Sequence, residues 1–555
     1  MSLSQLLLVT LLSSTTAWVA YSWICLFRNY IEARKVGVPI RVIPISHGNP
    51  FWMVVDRKIL SLFKKLPFGN GNFTRYNWRG WEIEDRYRSH LEMGDVYVQV
   101  TPEKNWLYLC NPEALMDVFR RRSDFPRPLQ IYEMLNIFGP NLATVEGYQW
   151  KQQRKIIATC FNEQNNEIVW SESVSLAHDM LHYWGSKESV KSLADDTRTF
   201  SLHVLSRAGF GKSYKFQGHD EKSTTNTETS YNESLKVVLD NCVLIMALGT
   251  NFLSKPWLPR RLRRVYQACI SFQNYMTKVY EDEKRTFSDK RSTDSNLMTS
   301  LVRASHEESL TSESLTEKEI YGNVFVFNFA GHDTTAHTLT FAIMFLAANP
   351  TVQDWLFDEL YHVLGDRQPN DWNYNTDFPR LKRCTAVLME TVRLYTPVPV
   401  AKWTEKHAQI LKVGENTITI PPATMVIPSY AAIHTHPKYW GPDALAWRPS
   451  RWIKKSSISL NSFDEEIISL QRGVFIPWSE GERSCPGKKF SQVEFVAAIA
   501  GLFREWRVDP IQQRGETLES ARARVLELID KDSAQVLLLQ MLHPERAPLI
   551  WRRRQ

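Results

Sequence analysis

The chain is 555 residues long and carries 67 basic against 60 acidic residues, a formal charge of +7. It is 43% hydrophobic and 23% charged, which excludes a largely disordered chain, and the charge bias is too small over this length for a nucleic-acid footprint. Length alone favours two domains, although a mainly helical chain can keep one large core.

Residues Leu6 to Phe27 carry no charge and are long enough to cross a bilayer as one helix. Arg28, Arg34, Lys35 and Arg41 follow the run and no basic residue precedes it, so the positive-inside bias sets the N-terminus in the lumen and the body in the cytosol. A cleaved signal peptide would want a basic region before the apolar core. Residues 1–28 therefore read as a membrane anchor. Residues 29–51, with Pro39, Pro44 and Pro50, read as a stiff non-helical connector, and residues 52–555 as the folded body. The acceptor patterns Asn72-Phe73-Thr74 and Asn232-Glu233-Ser234 lie in that body, so a cytosolic location leaves both unglycosylated.

Further along, Trp150 and Arg154 stand at i, i+4 on one predicted helical face. Gly218 to Tyr231, Thr286 to Asn296 and Ser305 to Lys318 are polar and read as surface loops. Ile320 to Asn349 holds one formal charge, Asp333, and fits either a second membrane span or a core helix. The polar centre Ala330-Gly331-His332-Asp333-Thr334-Thr335 makes a span costly, so a core helix is the better reading. Glu390 and Arg393 can pair at i, i+3 on a helix. A strand-like section covers Ile410 to Ile427, where Thr417-Ile418-Thr419-Ile420 alternates before Pro421-Pro422.

The seven cysteines, Cys25, Cys110, Cys160, Cys242, Cys269, Cys384 and Cys485, are scattered and odd in number. Neither zinc-ligand spacing nor a disulfide framework is visible, which favours a reducing environment. Cys485 stands apart by its flanks. Phe475 to Ser484 is loop-like, and Phe490 to Trp506 reads as a helix with Phe490, Val493, Ala497, Ala500 and Gly501 on a buried face. A cysteine just before a helix start meets unpaired N–H groups and the positive dipole end, which stabilise a thiolate. Gly487 allows the backbone to approach a bulky planar group. A lone cysteine in this setting is usually a small buried hydrophobe.

The run Phe475-Ile476-Pro477-Trp478-Ser479-Glu480-Gly481-Glu482-Arg483-Ser484-Cys485-Pro486-Gly487 resembles the heme-binding signature F-x-x-G-x-R-x-C-x-G of the cytochrome P-450 superfamily, with Trp478 in place of the first Phe. Three other segments resemble the same family in its expected order: Glu390-Thr391-Val392-Arg393, Trp447-Arg448-Pro449-Ser450-Arg451-Trp452, and Trp150 with Arg154. Ala330-Gly331-His332-Asp333-Thr334-Thr335 resembles its A-G-x-D-T-T. The resemblance covers roughly Trp52 to His543. It implies a mainly α fold with a small β region, one large helical domain enclosing heme b, and an N-terminal transmembrane helix.

By that resemblance Cys485 is the axial thiolate ligand of the iron. Trp150, Arg154, Ala330, Gly331, Arg483 and Gly487 bind the cofactor, with Trp150, Arg154 and Arg483 serving the propionates. Glu390, Arg393 and Arg451 form a buried structural triad holding the cysteine loop. Ser450 stands where the family usually has an acid. Thr334 and Asp333 are assigned to proton delivery, because splitting dioxygen consumes two protons as well as electrons. The Thr334 hydroxyl can bond a carbonyl one turn back, opening a local kink that holds water. His332 occupies a variable position and receives no role.

The implied activity is a monooxygenase that oxidises a hydrophobic small molecule by hydroxylation, epoxidation or desaturation. The anchor and long polar insertions are similar to those of fungal members acting on terpenoid, polyketide or alkaloid intermediates. A fatty-acid or xenobiotic hydroxylase is the alternative, and a heme sensor without turnover the different class. No dinucleotide fingerprint is visible, so the electrons come from outside, by resemblance from an NADPH-dependent cytochrome P-450 reductase at the endoplasmic reticulum membrane. Lys488, Lys489, Lys151, Arg154 and Lys155 can make a basic surface for it, or be ordinary solvated side chains. Substrate contacts are expected from Ile131 to Asn141, Val326 to Thr335 and Pro399 to Trp403, with Ile131, Met134, Leu135, Ile137, Phe138, Val398 and Val400 making the cavity apolar. Lys402 stands where many relatives have an arginine for a propionate.

Overall fold

The computed structural model describes residues 3–46, 48–67, 69–219, 228–288, 296–307, 315–455 and 464–554. Helices dominate, and strands are confined to one five-stranded sheet and four two-stranded pairs. The polar loop expectations fall partly outside the described residues. Within them, helices reach further than expected, to Ser288 and Glu307 and from Glu228.

The core is organised around Glu317–Ala348, a 32-residue helix. Its start is fixed locally, since the Thr316 side chain accepts from the Glu319 N–H while the Glu319 side chain accepts from the Thr316 N–H. Nearly every residue from Ile320 to Ala348 is buried, which is the signature of a helix through a protein interior. It packs on Leu193–Phe210, where the hydroxyls of Thr197 and Thr340 meet at 2.9 Å. The helix after the cysteine loop, Lys488–Phe503, packs on Glu163–Gly185. Gly501 there allows close contact, because a Cβ would stand 2.7 Å from that of Ala177.

The larger sheet orders Ile40–Val42, Val96–Val100, Asn105–Leu109, Met425–Pro428 and Lys402–Trp403. Gln409–Val413 and Asn416–Ile420 form a hairpin, with Ile418 and Ile420 buried and Thr417 and Thr419 exposed, as the alternation requires.

At the N-terminal end the structure differs from the sequence reading of a non-helical connector. The first helix runs Leu3–Arg34, residues 40–42 join the sheet, and another helix begins at Pro50. No proline or glycine interrupts the chain before Gly37, whose positive φ of 77° ends the first helix, and Leu26 and Ala33 are buried against the body. Among the described residues no helix is long and apolar enough to cross a membrane.

Candidate active site

The segment that carries Cys485 is shaped by glycine. Gly481 has φ of 73°, and a Cβ there would lie 2.7 Å from the Phe119 carbonyl oxygen. Only glycine fits this close approach without strain. The Cys485 N–H donates to the Trp478 carbonyl at 2.9 Å, closing the loop, and Lys488–Phe503 begins two residues after Gly487's neighbour Pro486. The helix follows the cysteine as expected, but it starts at Lys488 instead of Phe490 and ends at Phe503, with Trp506 opening a strand.

Cys485 faces an internal cavity of about 310 Å³. Cys485 is exposed and lines that cavity. Another wall comes from the middle of the long core helix. Ala330 is exposed and Gly331 and Thr334 are half-buried within an otherwise buried helix, so this one turn opens onto the hollow. Val326, Phe329, Leu142, Val392, Val398 and Val400 make most of the remaining surface apolar. The other six cysteines do not line it. Of the stretches expected to contact substrate, Val326 to Thr335 supplies most of one wall, Ile131 to Asn141 supplies Tyr132 and Leu135, and Val398 and Val400 also line the cavity. Phe138 instead packs on Phe272 and Phe325 with ring centroids 5.2 Å away, and Ile131 is exposed.

One edge of the cavity holds excess positive charge. Trp150 lies on Gly147–Cys160, and its ring is faced by the guanidiniums of Arg122 and Arg483, each 4.5 Å from the centroid. Arg483 donates through Nη2 to the Val145 carbonyl at 3.0 Å and pairs with Glu146, yet its Nε and Nη1 are buried with no partner among the described residues. Arg154 and Arg127 line the same cavity. Lys402 is 3% exposed, and burial, together with Arg127 and Arg483, pushes its pKa down to about 7. Buried donors without acceptors beside an apolar hollow call for an anion with a flat apolar body. Heme, with its propionates, fits: Trp150, Arg154 and Arg483 would hold the acids, and Cys485 and Gly487 would face the ring from below. A Cβ on Gly487 would stand 3.9 Å from the Cys485 sulfur, inside that space. Burial leaves the Cys485 pKa raised, outweighing the downward pull of the Gly487 N–H, Arg154, Arg127 and Lys488. A thiolate there would need a cation on its open side to offset that burial.

The Glu390-Arg393-Arg451 triad is assembled. Arg393 makes two 2.8 Å bonds to the Glu390 carboxylate, and Arg451 Nε makes a third at 2.8 Å. Trp452 Nε1 and the Arg448 N–H add two more donors, so Glu390, fully buried, is saturated. Sequence reading missed the link from this triad to the cysteine loop. It is His434, whose carbonyl accepts from Arg393 at 2.7 Å and whose Nε2 accepts from the Ile476 N–H at 3.0 Å. Burial and the nearby Arg393 lower its pKa to about 3, keeping the ring neutral and able to accept.

Thr334 donates to the Ala330 carbonyl one turn back at 2.9 Å, as expected, and the segment stays α-helical throughout. Asp333 turns elsewhere. It does not line the cavity but receives a 2.7 Å bond from Arg198 Nε, and His332 Nε2 lies 3.3 Å from the same oxygen. Burial opposes its charge, but His332 and Arg198 together outweigh that and hold its pKa at about 2. His332, given no role from sequence, is thus buried beside Asp333. Lys151, Lys155, Lys488 and Lys489 are exposed, whereas Arg154 is half-buried.

The cytochrome P450 family model matches residues 73–534. A cytochrome P450 monooxygenase of Arthrobotrys oligospora is 26% identical over 95% of both chains. The phomenoic acid biosynthesis cluster cytochrome P450 monooxygenase of Leptosphaeria maculans is 28% identical over 90% of this chain and 91% of its own. A crystal structure of a cytochrome P450 superposes with a TM-score of 0.66 at 18% identity, covering 85% of this chain and 98% of the other. That last likeness concerns the fold.

Proposed function

This chain belongs to the cytochrome P450 family, as a monooxygenase that binds heme through a cysteine thiolate, and we propose that Cys485 is that ligand and that a hydrophobic biosynthetic intermediate is the substrate. The single observation carrying this reading is the cavity itself. Cys485 and Gly487 form one wall, Ala330, Gly331 and Thr334 another wall, and Arg154 and Arg483 a cationic edge.

When bound, heme supplies dioxygen activation and the transfer of one oxygen atom. The residues around it have separable tasks. Arg154 and Arg483 neutralise and orient acidic groups at the edge, and Trp150 holds Arg483 in place by stacking. Val326, Val398 and Val400 exclude water and select apolar substrates. Thr334 presents a hydroxyl to the cavity, and Asp333, one residue away and held as a carboxylate by Arg198, would act as a relay that takes up a proton from water before passing one to Thr334.

Terpenoid, polyketide or alkaloid intermediates are the favoured class, supported by the apolar cavity and by the cluster-borne relative from Leptosphaeria maculans. Electrons come from an NADPH-dependent reductase docking on the face with exposed Lys151, Lys155, Lys488 and Lys489. Leu3–Arg34 serves as the membrane attachment at the endoplasmic reticulum, with the body on the cytosolic side. Its exposed Trp18, Tyr21, Trp23, Ile24 and Phe27 support that role.

The test is spectroscopic and chemical. Reduced protein treated with carbon monoxide should show the red-displaced band of thiolate ligation, and Cys485→Ser should abolish it. Microsomes holding the chain and its reductase should then change the mass of a compound in extracts of the source organism. Retention of the band in Cys485→Ser would end the ligand assignment.

A further inference from the structure

A second cavity, of about 940 Å³, shares no wall residue with the one at Cys485. Its walls come from helix Pro50–Phe63, the segment Glu84–Arg88, the end of the core helix at Phe345, and helix Leu518–Lys531. Five cations line it, Arg57, Lys64, Arg86, Arg88 and Lys531, against only Glu84 and Asp530.

Two of the five are partly neutralised and three are not. Lys531 pairs with Glu527 at 2.5 Å, outside the cavity wall, and Lys64 lies 4.0 Å from Glu84. Arg86 donates to the Leu394 carbonyl and rests over the Tyr395 ring at 5.0 Å. Arg88 donates to the Glu84 carbonyl, and Arg57 lies 6.0 Å from the Trp78 centroid. None of these three arginines makes an ion pair among the described residues. An anion that accepts N–H bonds from guanidiniums lacking a carboxylate partner gains charge-assisted hydrogen bonds there.

The rest of the wall mixes the polar Ser61, Thr74, Asn349 and Ser533 with apolar side chains. Leu60, Phe345 and Tyr395 are buried, and Trp447 stacks on Phe345 at 4.9 Å. The wall helix ends on Leu62 and Phe63, which are 63% and 44% exposed. Cations beside a buried apolar floor and an apolar rim match a molecule with a charged head and a hydrocarbon tail.

We propose that this cavity binds an anionic amphiphile, its phosphate or carboxylate head held by Arg57, Arg86 and Arg88 and its alkyl chain lying against Leu60 and the exposed end of the wall helix. The site touches the cysteine-supporting network. Arg86 holds the carbonyl of Leu394, next to Arg393, and the cavity reaches Ala446, whose carbonyl accepts from Arg393 at 3.1 Å. Occupancy therefore stabilises the loaded enzyme against heat without touching the heme pocket.

The test titrates full-length holoenzyme with monododecyl phosphate below its micelle concentration, by calorimetry and by heme absorbance. Saturable binding with a raised unfolding temperature and an unchanged heme spectrum is expected. Arg57→Gln with Arg88→Gln should weaken binding about tenfold or more. Arg57→Gln alone, at an exposed residue without an ion pair, should show a smaller loss of the same sign and guards against misfolding of the double variant. Inorganic phosphate at equal concentration should bind far more weakly, and neutral dodecyl maltoside should not compete. Equal binding by either control, equal binding by the variants, or a shifted heme spectrum would each overturn the proposal.

Discussion

Replacing His434 with phenylalanine keeps a ring of similar size while deleting both nitrogens. His434 is fully buried, and its Nε2 and Nδ1 serve the Ile476 N–H at 3.0 Å and the Thr396 hydroxyl at 3.1 Å. The Thr396 hydroxyl still donates to the Val392 carbonyl at 2.7 Å, so the Ile476 N–H is the buried group left without a partner, and the variant should lose about 1–3 kcal/mol at neutral pH. Because Ile476 opens the cysteine loop, part of that loss should appear as a weakened thiolate band in reduced, carbon-monoxide-treated protein. The pH dependence adds an independent signature. The folded pKa of about 3 lies below the unfolded value of about 6.5, so below pH 6.5 the unfolded chain binds a proton that the native ring refuses. Wild type therefore loses about 1.4 kcal/mol per pH unit relative to the variant as pH falls from about 6.5 toward 3. Other buried groups titrate in this range, but they are common to both proteins and cancel in the difference. Urea unfolding at pH 7, 6, 5 and 4.5, followed by heme absorbance and circular dichroism, measures both effects. A stability gap that is absent at pH 7, or one that stays constant down to pH 4.5, would refute the reasoning.

Three further substitutions probe other parts of the structure. Arg393→Met removes one half of a fully buried ion pair and should cost about 3–5 kcal/mol, read as a lower urea midpoint and poor heme retention. Arg198→Leu strips the 2.7 Å partner from buried Asp333; a loss of similar size is expected, partly recovered by Arg198→Lys, with thermal unfolding as the measure. Glu494 is fully buried with both oxygens unpartnered, and burial raises its pKa to about 8 despite the nearby hydroxyls of Ser201 and Thr335. Between the unfolded value of about 4.5 and 8 the native state holds the extra proton, so stability falls as pH rises through that window. Glu494→Gln should remove the decline and raise stability at pH 7 by about 3 kcal/mol, visible as a flatter profile of unfolding temperature against pH.

What the sequence made legible follows from how far apart the cooperating residues lie. Glu390 and Arg393 are one helical turn apart, and Cys485, Gly487 and Arg483 share a single loop, so their chemistry is written in local spacing. The long core helix was readable because its polar centre contradicted a membrane span, and Thr334 bonds Ala330 within one turn. By contrast, Arg198 reaches Asp333 across 135 positions and His434 reaches Ile476 across 42. No periodicity reports such a pairing, since each side chain alone looks like an ordinary helix residue. The same limit explains the cavity walls supplied by Leu388 and Leu538, which packing alone brings to the site. The connector was misread for a different reason. Proline restricts its own φ and the residue before it, so Pro39 constrains Val38 and says nothing about Asn29 to Arg34.

His332 and Asp333 show how a side chain with no evident signal acquires a place in the argument. Reading the family pattern, His332 fills a position that tolerates many residues, and a charge-bearing histidine on a buried helix would be costly without a partner. The fold supplies one, because Nε2 lies 3.3 Å from the carboxylate that Arg198 already fixes, while Nδ1 contacts the Asn328 carbonyl. Asp333 is consequently held by two neighbours on the side away from the cavity. For Asp333 to serve Thr334, its carboxylate must either swing from Arg198 or pass protons through water along the helix. The first route predicts that Arg198→Lys, which replaces a planar fork by a single mobile ammonium, speeds the proton-dependent step. The second predicts no gain, since the acid would remain anchored. Solvent deuterium isotope effects on NADPH-driven turnover in Arg198→Lys and wild type separate the two: an effect that shrinks in the variant selects the swinging carboxylate, and an unchanged effect selects the water route.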